Sequence, residues 1–80
     1  MRILSEDSDT AIRAVTIFLT PDEAKQMLGF LKSLVADPAR AQHAHVNDEN
    51  YAYEVTMSIY TDSNLSEFSE RARRLILTGE

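Results

Sequence analysis

IRAVTIFLTPDEAKQMLGFLKSLVA, residues 12–36, reads as a strand running directly into a capped helix, and this reading decides the fold. The joint is Thr20-Pro21-Asp22-Glu23, which supplies a hydroxyl N-cap, a proline at the first helical position and an acid at the third. Before the joint, residues 12–19 alternate, with Val15, Ile17 and Leu19 on one face and Ile12, Ala14, Thr16 and Phe18 on the other. Both faces are apolar enough for a central strand. After the joint, Ala24, Met27, Leu28, Leu31, Leu34 and Val35 fall on one stripe of a helix. Gly29 costs about 1 kcal/mol relative to alanine inside a helix, so it marks a close approach to a neighbour. Asp37-Pro38 stops the helix, because proline disfavours helical geometry in the residue before it.

Working outward, residues 2–5 form a short apolar-containing segment and residues 6–9 an acidic turn, which together read as a strand and its connection to the next one. On the C-terminal side, residues 43–46 read as an edge strand and Asn47-Asp48-Glu49-Asn50 as the polar loop closing a hairpin. Residues 51–60 then alternate: Tyr51, Tyr53, Val55, Met57 and Ile59 face the core, and Ala52, Glu54, Thr56, Ser58 and Tyr60 face away. A second helix follows Asn64 as N-cap, with Leu65, Phe68, Ala72, Leu75 and Ile76 as its apolar stripe and Gly79 just past its last turn. The pairs Glu67 with Arg71 and Glu70 with Arg74 are each worth about 0.2–0.5 kcal/mol on an isolated helix.

The predicted order is β-β-α-β-β-α in a single α+β domain, residues 1–80. A right-handed crossover through the first helix lets the last strand lie between the second and third, giving sheet order 1-2-4-3. The expected architecture is a two-layer sandwich, ferredoxin-like in permuted order, with both helices on one face of the sheet and the other face open.

Composition narrows the function classes. A chain of 80 residues buries about 60–65% of its unfolded surface and has a stability of about 4–12 kcal/mol. Without cysteine there is no disulfide, thiolate metal site or cysteine nucleophile. The N-terminus turns acidic before any apolar run, and no segment approaches the roughly 20 apolar residues of a membrane span. A soluble, cytoplasmic protein without membrane contact is expected. Thirteen acids against eight bases give a net charge of −5, which disfavours nucleic acid and suits a basic protein partner.

Reaction chemistry has little foothold. His43 and His45 project to the same side of an extended segment, and with Asp48 or Glu49 they are the weak metal candidates. No nucleophile motif or glycine-rich loop is present, since Gly29 and Gly79 are the only glycines. Arg71, Arg73 and Arg74 lie near a helix C-terminus, where cations suit the dipole. No catalytic residue and no cofactor is expected. The open sheet face is the better candidate, with Thr16, Phe18, Thr56, Ser58 and Tyr60 as interaction residues, because aromatic anchors favour protein interfaces.

The run VTIFLTPDEAKQMLGFL, the H-x-H segment, and EVTMSIY followed by NLSEFSERARRLI resemble a family of small uncharacterised bacterial proteins. A fainter likeness, of strand, capped helix and H-x-H, is to small immunity proteins of polymorphic toxin systems. The first resemblance implies a bacterial source and the second a protein that neutralises a toxin, with no toxin-contacting residue carried over from it. The resulting expectation is a protein-interaction module, immunity-like or regulatory, that acts and self-associates as a homodimer through its open sheet face. The alternative is a metal-binding or metal-dependent protein using the His43/His45 segment.

Overall fold

A computed structural model describes all 80 residues, and the chain is α+β, with two helices and two small antiparallel sheets. Strands β1 (Ile3–Ser5) and β2 (Thr10–Ile12) form the first hairpin, in register from Ile3 opposite Ile12 to Ser5 opposite Thr10. Its turn is closed by Ser8, whose hydroxyl donates to Ser5 Oγ at 3.0 Å and lies 2.6 Å from Thr10 Oγ1. Asp9 takes the left-handed conformation there, φ 53°.

Helix α1 (Pro21–Ala36) starts as the sequence predicts. Thr20 Oγ1 accepts from the Glu23 amide at 3.2 Å and Glu23 Oε1 accepts from the Thr20 amide at 2.9 Å, which completes a capping box behind Pro21. It ends before Asp37-Pro38. Gly29, however, has open space where a side chain would stand, so no close neighbour accounts for it.

Strands β3 (His43–Asn47) and β4 (Glu54–Ser58) form the second hairpin, antiparallel, with His45 opposite Thr56. Its loop is longer than the four residues expected. The amide of Tyr53 donates to Asp48 Oδ1 at 2.9 Å, and Tyr51 adopts φ 54°, so residues 48–53 turn the chain. Tyr51 and Tyr53 therefore sit in the loop, exposed, rather than on the core face.

A 3₁₀ turn at Leu65–Glu67 precedes helix α2 (Glu70–Thr78). Ser69, not Asn64, caps α2, its hydroxyl accepting from the Ala72 amide at 3.1 Å. Gly79 closes the helix in the left-handed conformation, as expected. The helical pairs Glu67 with Arg71 and Glu70 with Arg74 are not formed. Arg71 Nε instead donates to Asp9 Oδ1 at 2.8 Å, and Arg2 Nε reaches the Leu75 and Ile76 carbonyls at 3.0 and 3.2 Å. These arginines strap the first hairpin to α2. Arg2 in addition lays its charge on the negative end of the helix dipole.

The expected single sheet in order 1-2-4-3 is not present: β1 pairs only with β2 and β3 only with β4. The predicted strand over residues 12–19 stops at Ile12. Residues 13–19 make no backbone–backbone hydrogen bond, and all of them are exposed. Alternation specified a strand there, but a strand needs a neighbour, and no strand of either hairpin pairs with it in this chain. Helix α1 packs mainly on β3.

The core is correspondingly small. Leu34, Ala44, Val46, Phe68 and Leu75 are the buried apolar residues, and Asn64 is wholly enclosed. The molecule is a slab of 33 × 31 × 19 Å, thin enough for two layers.

Candidate interaction surface

The five predicted interaction residues fall in two places. Thr16 and Phe18 lie in the unpaired segment, and Phe18 is 90% exposed. Thr56 and Ser58 lie on β4, and Tyr60 follows it. A shared sheet face is therefore not what joins them. Ser58 Oγ donates to the Gln42 carbonyl at 2.8 Å, so it holds the start of β3. Thr56 is occupied by a histidine.

That histidine is His45. Alternation along β3 turns Ala44 and Val46 into the core and leaves His43 and His45 outside, on the same side, as their spacing predicts. Their rings stack at 13° with centroids 6.3 Å apart, and the His43 ring lies 6.2 Å from that of Phe68. His45 Nδ1 lies 2.6 Å from Glu54 Oε1 and 2.9 Å from Thr56 Oγ1. A carboxylate only accepts, so this pairing favours the tautomer protonated at Nδ1 and leaves Nε2 as the ring nitrogen with a lone pair. The hairpin register brings Glu54 to His45, whereas Asp48 is spent on the loop and Glu49 lies at its tip. No three histidine or carboxylate side chains converge as a metal ion requires. Titrating the protein with zinc or manganese is therefore expected to leave its melting temperature within about 1 °C; a saturable rise of several degrees would restore the metal reading.

A groove of about 750 Å³ runs between the start of α1 and the β3–β4 loop, lined by Glu23, Asp48 and His45 among others. Two of its four acids have structural partners: Glu23 closes the capping box and Asp48 the loop.

Sequence reasoning placed the apolar stripe of α1 wholly in the core, and here the structure differs most. Leu34 is buried, but Leu28, Leu31 and Val35 are 55%, 41% and 66% exposed. Ala24, Leu28, Leu31 and Val35 recur at intervals of four, three and four, the spacing of a helix–helix seam. The heptad interval was the available signal for a stripe facing a partner. Together with Val15, Ile17 and Phe18 in the preceding segment, it leaves more large apolar side chains in water than lone exposed residues account for. Searches against protein-family models, curated proteins and solved structures found no match to this chain.

Proposed function

We propose that the protein is a non-enzymatic protein-binding module, immunity-like or regulatory in role. The observation that carries this is the segment over residues 14–19: apolar, uncharged, exposed and without backbone partners. An unpaired strand-forming segment presents amides and carbonyls that a partner's strand can satisfy, while the side chains on its faces supply selectivity. Phe18 is the anchor on one face. The net charge of −5 favours a basic partner surface beside it. His45 and the hydroxyls of Thr56 and Ser58 are held in hydrogen bonds within the second hairpin and to its approach.

Affinity capture from the source cells tests this, with wild type and a Phe18→Ala/Tyr60→Ala bait compared at equal loading. Truncating a central aromatic anchor costs about 2 kcal/mol or more, so capture should fall about 30-fold. Phe18 is nearly free of the fold, so Phe18→Ala alone should melt as wild type does, and capture by that single variant separates lost binding from the loss of Tyr60 packing. Equal capture by both baits would refute the proposal.

A further inference from the structure

We infer that residues 15–19 pair with the same residues of a second copy of this chain, antiparallel, across a two-fold axis at Ile17. This rests on the protein-binding reading and names the occupant of the unpaired edge. The backbone edge and the Val15, Ile17, Leu19 face make the contact, and Phe18 of each copy stays on the opposite face.

The exposed area is the first ground. The chain exposes 6288 Å², where a folded monomer of 9.0 kDa exposes about 4,900 Å². Two copies that each hid the excess of about 1,400 Å² would bury about 2,800 Å² in all, within the range of permanent homodimers. The radius of gyration, 13.3 Å, likewise exceeds the roughly 11.6 Å of a compact chain this long. Backbone pairing agrees: there are 35 backbone hydrogen bonds, against on the order of 55 for a domain of 80 residues. The strand pair alone does not hide the excess area. The exposed seam Leu28, Leu31 and Val35, on the helix that follows within one residue, supplies the remainder.

Charge and register choose the partner and its direction. Copies carrying −5 each repel, yet residues 14–20 contain no charge, so two of them can lie side by side. The run is bounded by Arg13 and by Pro21, which cannot donate to a ladder. Ile17 is its midpoint. Antiparallel pairing there sets Val15 opposite Leu19 and Thr16 opposite Phe18, so each face meets its like. It also sets Arg13 of each copy opposite Pro21 of the other, at the acidic first turn of α1 with Asp22 and Glu23. A parallel arrangement would place Arg13 against Arg13.

The chain has no cysteine, so introduced thiols report the register without background. Residues directly opposite in an antiparallel pair have Cα atoms about 4.5–5.5 Å apart, within reach of a disulfide. In sedimentation equilibrium the wild type should run as a dimer, twice 9.0 kDa. Under mild oxidation I17C should crosslink in most chains, whereas T16C and F18C should crosslink when mixed and not singly. I17K, which sets two ammonium groups face to face, should sediment as a monomer with its circular dichroism unchanged. A wild-type monomer at all concentrations, or a dimer in which I17C does not crosslink, overturns the inference. So does preferential crosslinking of I17C to S58C, which would assign the segment to the edge of β4. A monomer that still captures a partner through Phe18 refutes this pairing alone; a crosslinked dimer whose F18A/Y60A variant captures as well as wild type supports the pairing and refutes only the partner reading.

Discussion

Replacing Asn64 with alanine lowers the free energy of unfolding by about 2–4 kcal/mol. Asn64 is the one polar residue with no exposed surface, and it closes the turn between β4 and the 3₁₀ segment. Its Oδ1 accepts from the Thr61 amide at 2.7 Å, and its Nδ2 donates to the Ile59 carbonyl at 3.1 Å and, at the limit of reach, to the Pro38 carbonyl at 3.5 Å. Alanine leaves these part-buried groups unpaired, each at about 1–3 kcal/mol. Aspartate keeps the bond to Thr61 but turns a carboxylate oxygen towards two carbonyls. At neutral pH Asn64→Asp should therefore cost more than alanine, and the cost should shrink on acidification as the introduced carboxyl protonates and donates. Urea unfolding measures both variants. A midpoint for Asn64→Ala equal to wild type would show that the side chain does not hold the turn.

The second large effect concerns Leu34. It is the single buried residue of α1, the helix that packs on β3, and it lies in a core of five apolar residues. Leu34→Ala should cost about 2–3 kcal/mol, the lower part of the usual range, because the exposed neighbours Leu31 and Val35 can relax into the gap. Leu28→Ala, on the exposed side of the same helix, should cost under about 0.5 kcal/mol in dilute protein. The ratio between the two is the informative quantity. Similar losses from both at low concentration would mean that the stripe of α1 is covered within one chain, contrary to the exposure seen.

Local chemistry was legible in the sequence wherever a few neighbouring residues settle the outcome. The capping box at Thr20 and Glu23, the stop at Asp37-Pro38, the left-handed Gly79 and the same-side placement of His43 and His45 all follow from spacing, and each is present. What alternation and helical period leave open is the neighbour. Residues 13–19 have the side-chain pattern of a central strand, and the apolar stripe of α1 has that of a buried helix, yet period specifies a face and not what covers it. The same limit explains the second hairpin. Its strands were expected, but the longer loop at residues 48–53 moves Tyr51 and Tyr53 out of the sheet, and only the resulting register brings Glu54 to His45. Asn64 was expected as a cap because asparagine suits that position. Its enclosure depends on the Ile59 and Pro38 carbonyls, which converge only in three dimensions.

The uncharged run at residues 14–20 also governs how well the chain stays dissolved. Seven consecutive residues rich in valine, isoleucine, phenylalanine and threonine, with no charge and no proline among them, match the composition of segments that stack into cross-β fibrils. Arg13 before the run and Pro21, Asp22 and Glu23 after it act as gatekeepers against such stacking. Beyond them, the only general protection is electrostatic. It weakens as the pH approaches the sequence isoelectric point, about 4.9. The same seven residues that invite a partner therefore make mildly acidic, concentrated solution the condition in which this chain aggregates first.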